Sequence, residues 1–181
     1  MNQTASYTAT AIRLHWLMAI GLAGTSALGL YMHELPLSPM KLQFYAWHKW
    51  AGVTLFALLL LRLSWRLAHR PPGAPIGMPA WQLLAAEVAH RLLYVLMVAI
   101  PLSGWLMSSA KGYQTVLFGV LPLPDLLAKD KELGDLLATA HRFLNFAMAG
   151  LVLVHVGAAI KHHRIDRDGV MQRMLPFLKN R

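Results

Sequence analysis

The chain has no cysteine among its 181 residues. A disulfide framework, a cysteine-based zinc site and an iron–sulfur cluster are thereby excluded, while the redox compartment stays open. Charge is scarce as well: Asp, Glu, Lys and Arg make up 14% of the chain, against about 25% in an ordinary soluble domain. Acids are the scarcest, 8 against 17 Lys and Arg, for a formal net charge of +9. Such an excess raises nucleic acid as a partner. The cations, however, stand in short segments between apolar runs, so no nucleic-acid binding is expected. No repeat or low-complexity segment is evident.

Apolar residues are abundant instead, 56% of the chain, with a mean hydropathy of +0.44. A helix needs about 20 mostly apolar residues to cross a bilayer. Four runs qualify, roughly 15–32, 48–65, 88–110 and 139–160. The first is not a cleavable signal peptide, because a single cation precedes it and its small-residue stretch GTSALG lies mid-span. The expected architecture is an all-α membrane protein, one domain over residues 1–181 folded as a four-transmembrane-helix bundle. Its second and third spans are joined by RPPGAPIGMP (70–79), which four prolines and two glycines keep non-helical. Residues 111–138 form the longest outer segment, with LPLPD at its middle and a short amphipathic helix expected after it. Pro101 falls inside the third span, where a kink is tolerated if neighbours satisfy the freed carbonyl.

Lys and Arg near the span ends set the orientation. Four spans put both termini on one side. That side carries Arg13, Arg62, Arg66, Arg70, Arg91 and the six cations from Lys161 onward. The other carries Lys41, Lys49, Lys111, Lys129, Lys131 and Arg142, offset by more acids. Both termini are therefore expected in the cytoplasm. The basic tail serves as that topology signal, with lipid binding as a lesser use.

Nine histidines are present, and their placement matters more than their number. His15, His48 and His90 open the first three spans, and His141 and His155 bracket most of the fourth. An ionisable side chain at membrane depth is costly and is a functional candidate by default. On the fourth span, fourteen steps of about 100° fall only about 40° short of four turns, so His141 and His155 share a face about 21 Å apart. The topology sets His48 level with His141 at the outer side, and His15 level with His155 at the inner side. Two facing pairs result.

Zinc would need further ligands at each level, and no Asp, Glu or Cys is available there. A proton or ion transporter would usually carry carboxylates inside its spans, and these spans have none. Haem iron takes two axial ligands, which two histidines supply. Two bis-histidine haems stacked across the membrane account for all four residues, whereas a lone membrane histidine would more often be a helix–helix hydrogen bond. Arg13, Lys49 and Arg142 adjoin these histidines and suit haem propionates. Gly52, one turn from His48, and Gly21 and Gly24 on the first span would let a flat macrocycle approach the backbone. Met148 lies seven residues from each histidine of the fourth span, as packing or as the material electrons cross. His90 competes with His15 at the inner level, or serves there as a polar group. His33 and His69 are expected in loops, facing water.

The segments IRLHWLMAI, WHKWAGVTLFALLLLRLSWR, HRLLYVLMVAIPLSGW, HRFLNFAMAGLVLVHVGAAIKHH and MLPF, in this order over nearly the whole chain, resemble the bacterial cytochrome b561 family. The resemblance implies a dihaem protein of the bacterial inner (cytoplasmic) membrane, with His15, His48, His141 and His155 as iron ligands. It pairs His15 with His155 and His48 with His141. The family includes a superoxide:ubiquinone oxidoreductase, which implies superoxide as donor, ubiquinone as acceptor and His162 of KHH at the quinone site, beside His90 and Arg70 as further candidates. Lys41, Lys49, Lys111 and Arg142 would focus superoxide at the outer haem. The runner-up is a membrane haem anchor exchanging electrons with a soluble periplasmic redox protein. A non-haem transporter or structural protein is the third class.

Overall fold

The computed structural model describes residues 6–75 and 77–180, the side chains of Lys179 and Asn180 excepted. Arg181 and the side chain of Lys179, two of the six tail cations, lie outside the described residues. Four long helices dominate: α1 (Ala9–Glu34), α2 (Pro39–Ala68), α3 (Ala80–Ala110) and α4 (Lys131–Lys161), of 26, 30, 31 and 31 residues. Each is long and apolar enough to cross a membrane. At about 1.5 Å per residue they run to roughly 40 Å or more, beyond a hydrocarbon core of about 30 Å.

The helices therefore overrun the apolar windows, and local caps explain where they start. Thr8 accepts from the Ala11 N–H to open α1. Ser38 accepts from Lys41 N–H, with Pro39 in the first turn, so α2 begins well before His48. Asp130 caps α4 by accepting from Leu133 N–H, with Glu132 in the first turn. The short amphipathic helix expected after LPLPD is thus not a separate element. No breaker lies between it and the fourth span, and the two run as one helix. α3 continues through Pro101 without interruption.

Between α3 and α4 the chain makes a two-stranded antiparallel hairpin, β1 (Val116–Leu117) and β2 (Leu121–Pro122). Its turn uses positive φ at Phe118 and Gly119. The hairpin is fastened to the bundle by Trp50 Nε1 donating to Val116 O at 2.7 Å, Trp105 Nε1 to Pro124 O at 3.0 Å and Lys49 Nζ to Tyr113 O at 2.8 Å. At the other end, a π-helical turn (His162–Asp166) and two short 3₁₀ helices (Met171–Arg173, Pro176–Asn180) fold back beneath the bundle. Trp16 Nε1 donates to Met174 O at 2.9 Å, and Arg173 donates to Gly73 O at 2.6 Å, which ties this segment to α1 and to the α2–α3 linker. We refer to the two ends as the hairpin end and the terminal end.

α1 packs along α2 and α3 along α4; the two helical hairpins meet through α2 and α3, and α1 scarcely touches α4. The buried apolar side chains are few: Leu14, Met18, Met32, Leu59, Ala110 and Met148. Large apolar residues point outward, Ile20, Phe143 and Leu153 among them, each more than two-thirds exposed, as lipid-facing surface requires. The interior is consequently hollow, with a cavity of about 2970 Å³ that runs the length of the bundle. A site for one small ligand occupies about 300–1,000 Å³. This one has room for more than one large group.

Candidate functional site

His15, His48, His90, His141 and His155 all line the cavity. At the hairpin end the His48 and His141 ring centres are 6.3 Å apart, with planes at 81°. At the terminal end His15 and His155 are also 6.3 Å apart, at 67°. An imidazole nitrogen binds a transition metal at about 2 Å with the ring centre roughly another ångström behind, so two imidazoles on opposite sides of one metal put their ring centres about 6 Å apart. Both gaps match that span. His90 stands 5.4 Å from His155, closer than such a pair allows.

Hydrogen bonds prepare the hairpin-end imidazoles. His48 Nδ1 donates to Thr25 O at 3.1 Å, and His141 Nδ1 donates to Ile100 O at 3.0 Å with Ser103 Oγ also at 3.0 Å. A carbonyl oxygen cannot donate, so each ring keeps its proton on Nδ1 and leaves the Nε2 lone pair free for a metal. Two glycines admit these rings. A Cβ on Gly29 would stand 3.0 Å from His48 Cε1, and one on Gly104 would stand 3.1 Å from His141 Cε1. Among the described residues no such carbonyl bond holds His15 or His155.

The two helical hairpins correspond. On α1 and α3, His15 precedes Gly29, and His90 precedes Gly104, by the same interval that separates His48 from Arg62 on α2 and His141 from His155 on α4. The carbonyls that hold the imidazoles belong to Thr25 and Ile100, each one turn before its glycine. The contact positions of the two helical hairpins therefore coincide, although the sequence as a whole shows no repeat.

The other expected residues separate into two groups. Lys49, Arg142 and His162 line the cavity; Arg13, Gly52 and Arg70 do not. Arg142 donates to His33 Nε2 at 3.4 Å. His33 is thus not in a loop but in the last turn of α1, although it is exposed as expected. His69 closes α2 and stacks on Trp65 at 4.0 Å between ring centres. A Cβ on Gly24 or Gly52 would meet nothing within 4 Å, whereas one on Gly21 would strike Leu55 at 2.7 Å, so Gly21 serves the contact of α1 with α2. Met148 is buried between the two levels. His162 is held by Asp168 at 2.6 Å, with Asp166 at 3.2 Å from the same nitrogen.

Sequence reasoning missed Arg62, Tyr94, Gly29 and Gly104. Arg62 Nε donates to the Tyr94 hydroxyl at 3.3 Å, and the Arg66 guanidinium lies 5.7 Å over the same ring. The signal for Arg62 was there: it follows His48 at the interval that already linked His141 to His155.

The pattern of prokaryotic cytochrome b561 matches residues 6–177. The chain belongs to that family. Cytochrome b561 homolog 2 of Escherichia coli (strain K12) is 34% identical over 182 residues, covering 96% of this chain and 93% of the relative. Cytochrome b561 homolog 1 of the same organism is 30% identical over 96% of this chain and 98% of its own length. A protein of Yersinia pestis named "Probable superoxide oxidase CybB" is 28% identical over 71% of this chain and 73% of its own. As a cytochrome b561, the chain is a multi-pass bacterial membrane protein that binds b-type haem and transfers electrons across the bilayer. The gaps between its facing imidazoles, the free Nε2 positions and the long cavity fit that group.

Proposed function

We propose that this cytochrome b561 binds two haems, one between His48 and His141 and one between His15 and His155, and carries electrons through them from the periplasmic side to the quinone pool. The observation that carries the reading is the matched pair of 6.3 Å imidazole gaps at opposite ends of one cavity. Bound there, the haems supply one-electron exchange at iron, with the potential set by the ligands and their surroundings. The chain holds the rings: Thr25 O and Ile100 O fix the tautomers, Gly29 and Gly104 admit the imidazoles, and Met148 fills the space between levels. With the cation-rich termini in the cytoplasm, the terminal end faces the inside of the inner membrane.

Superoxide is the donor in this reading and ubiquinone the acceptor. Two superoxide ions release two electrons and leave as dioxygen; the quinone takes both electrons and two protons. In this reading His162, which is held by Asp168 and lines the cavity, orients a quinone oxygen and passes it a proton. Arg70 is exposed and away from the cavity lining, so of the three quinone candidates His90 and His162 are retained. Lys49 and Arg142 offer positive charge at the hairpin-end mouth, although Lys111 is paired with Asp135 at 2.8 Å. The apolar hairpin tip, Val120 81% exposed and Phe118 59%, favours a second reading in which a soluble periplasmic redox protein docks there.

The test is to supply the purified protein with superoxide and ubiquinone alone. Quinol formation at the expense of superoxide supports the first reading. An inert protein that turns over only when a periplasmic redox protein is added supports the second.

A further inference from the structure

Arg62 has no part in either histidine pair. It follows His48 on α2 by the interval that separates His141 from His155 on α4. The correspondence of the two helical hairpins therefore puts it where a fourth histidine of the terminal end would stand. Its side chain lines the cavity and is anchored on the α3 side by its hydrogen bond to Tyr94. Among the described residues no carboxylate pairs with it. A guanidinium does not lose its proton, so this is a permanent positive charge at one end of the cavity.

The hairpin end is charged differently: Lys49 is half-buried like Arg62, lines the cavity and donates to Tyr113 O, Lys111 is paired with Asp135, and Arg142 is exposed to solvent. Charges in contact with water are screened; a charge within the bundle acts at lower dielectric and over a longer range.

We propose that Arg62 is a positioning residue that raises the reduction potential of the terminal-end haem, and so favours electron movement from the hairpin end to the terminal end. The inference rests on the two-haem reading. Reducing a bis-histidine haem removes one unit of positive charge from the iron centre, and a nearby fixed cation favours that change. The sense is the same whether the guanidinium faces the iron or neutralises a propionate. In an energised membrane, negative inside, an electron moving inward climbs the membrane potential. A more oxidising haem at the terminal end offsets that climb.

The test is a spectroscopic redox titration of the purified holoprotein, wild type against Arg62→Met and Arg62→Lys. The wild type is expected to titrate in two steps. Arg62→Met is expected to lower one step and leave the other in place, while Arg62→Lys holds the wild-type values. In a His141→Ala background, which keeps the terminal-end haem alone, the same downward shift is expected of the single remaining step. Two unmoved steps, or two steps moved equally, overturn the proposal. If Arg62→Met loses a haem, Arg62→Gln replaces it: a midpoint lowered in Gln and held in Lys supports the role of charge, and equal midpoints in the two overturn it. A wild-type protein holding fewer than two haems per chain defeats the two-haem reading itself, which separates that failure from a failure of Arg62.

Discussion

Each end of the cavity is built on two pairs of corresponding positions of the two helical hairpins, and the two ends are filled differently. At the hairpin end the corresponding positions agree: a histidine from α2 faces a histidine from α4, each ring bonded to a carbonyl and seated on a glycine of the preceding helix. At the terminal end they disagree. His15 and His90 are equivalent, as are Arg62 and His155, so symmetry offers two diagonals and only His15–His155 has an imidazole at both ends. The hairpin end is a rigid mount. The terminal end holds one histidine pair, a spare imidazole, a fixed cation and, below them, the His162–Asp168 pair. The surplus chemistry sits where a substrate that takes up both electrons and protons would have to be handled.

That contrast is most strongly broken by removing a ligand. His141→Ala is expected to cut the haem content from two per chain to one and to abolish quinone reduction, as measured by a pyridine haemochrome assay and a turnover assay. Gly104→Val is expected to act next most strongly. Its side chain would meet the His141 ring, and overpacking of this kind costs about 1–3 kcal/mol, so a lower Tm and partial loss of the hairpin-end haem are expected. Gly24→Val, where a Cβ meets nothing, should leave both unchanged. Ser103→Ala removes one of the two partners of His141 Nδ1 while Ile100 O remains. A loss of about 1 kcal/mol is expected from thermal denaturation, with two haems retained. The smallest effect on haem content is expected at the terminal end: His90→Ala should keep two haems per chain, because its 5.4 Å approach to His155 is shorter than the span of two imidazoles on opposite sides of one iron. A haem lost there would mean that His90, not His15, is the partner of His155.

The fold was legible to the extent that it follows from hydropathy. Four apolar runs gave four spans, and one interval on α4 gave the two levels. The helix ends were less legible, because Thr8, Ser38 and Asp130 start helices in polar segments that a membrane-length window discards. The Thr115–Leu123 hairpin escaped notice because its turn places Phe118 at positive φ, which sequence rules reserve for Gly or Asn. In the site, the histidines announced themselves by being ionisable at depth. Gly29 and Gly104 did not, since glycine is common in membrane helices and only the neighbouring ring distinguishes these two. Arg62 was counted as a topology charge, a use that says nothing of which way its side chain points. Arg13 adjoins a ligand candidate in sequence yet lies on an exposed face, since neighbours one and two apart along a helix do not share a side.

The most direct measurement is the dithionite-reduced minus oxidised spectrum of the detergent-purified protein, with haem counted per chain. Two b-type haems per chain, with one surviving in His141→Ala, is the result expected if each 6.3 Å gap holds an iron. A wild-type chain carrying a single haem would contradict the account, because one of two equally spaced histidine pairs would then have no metal to hold.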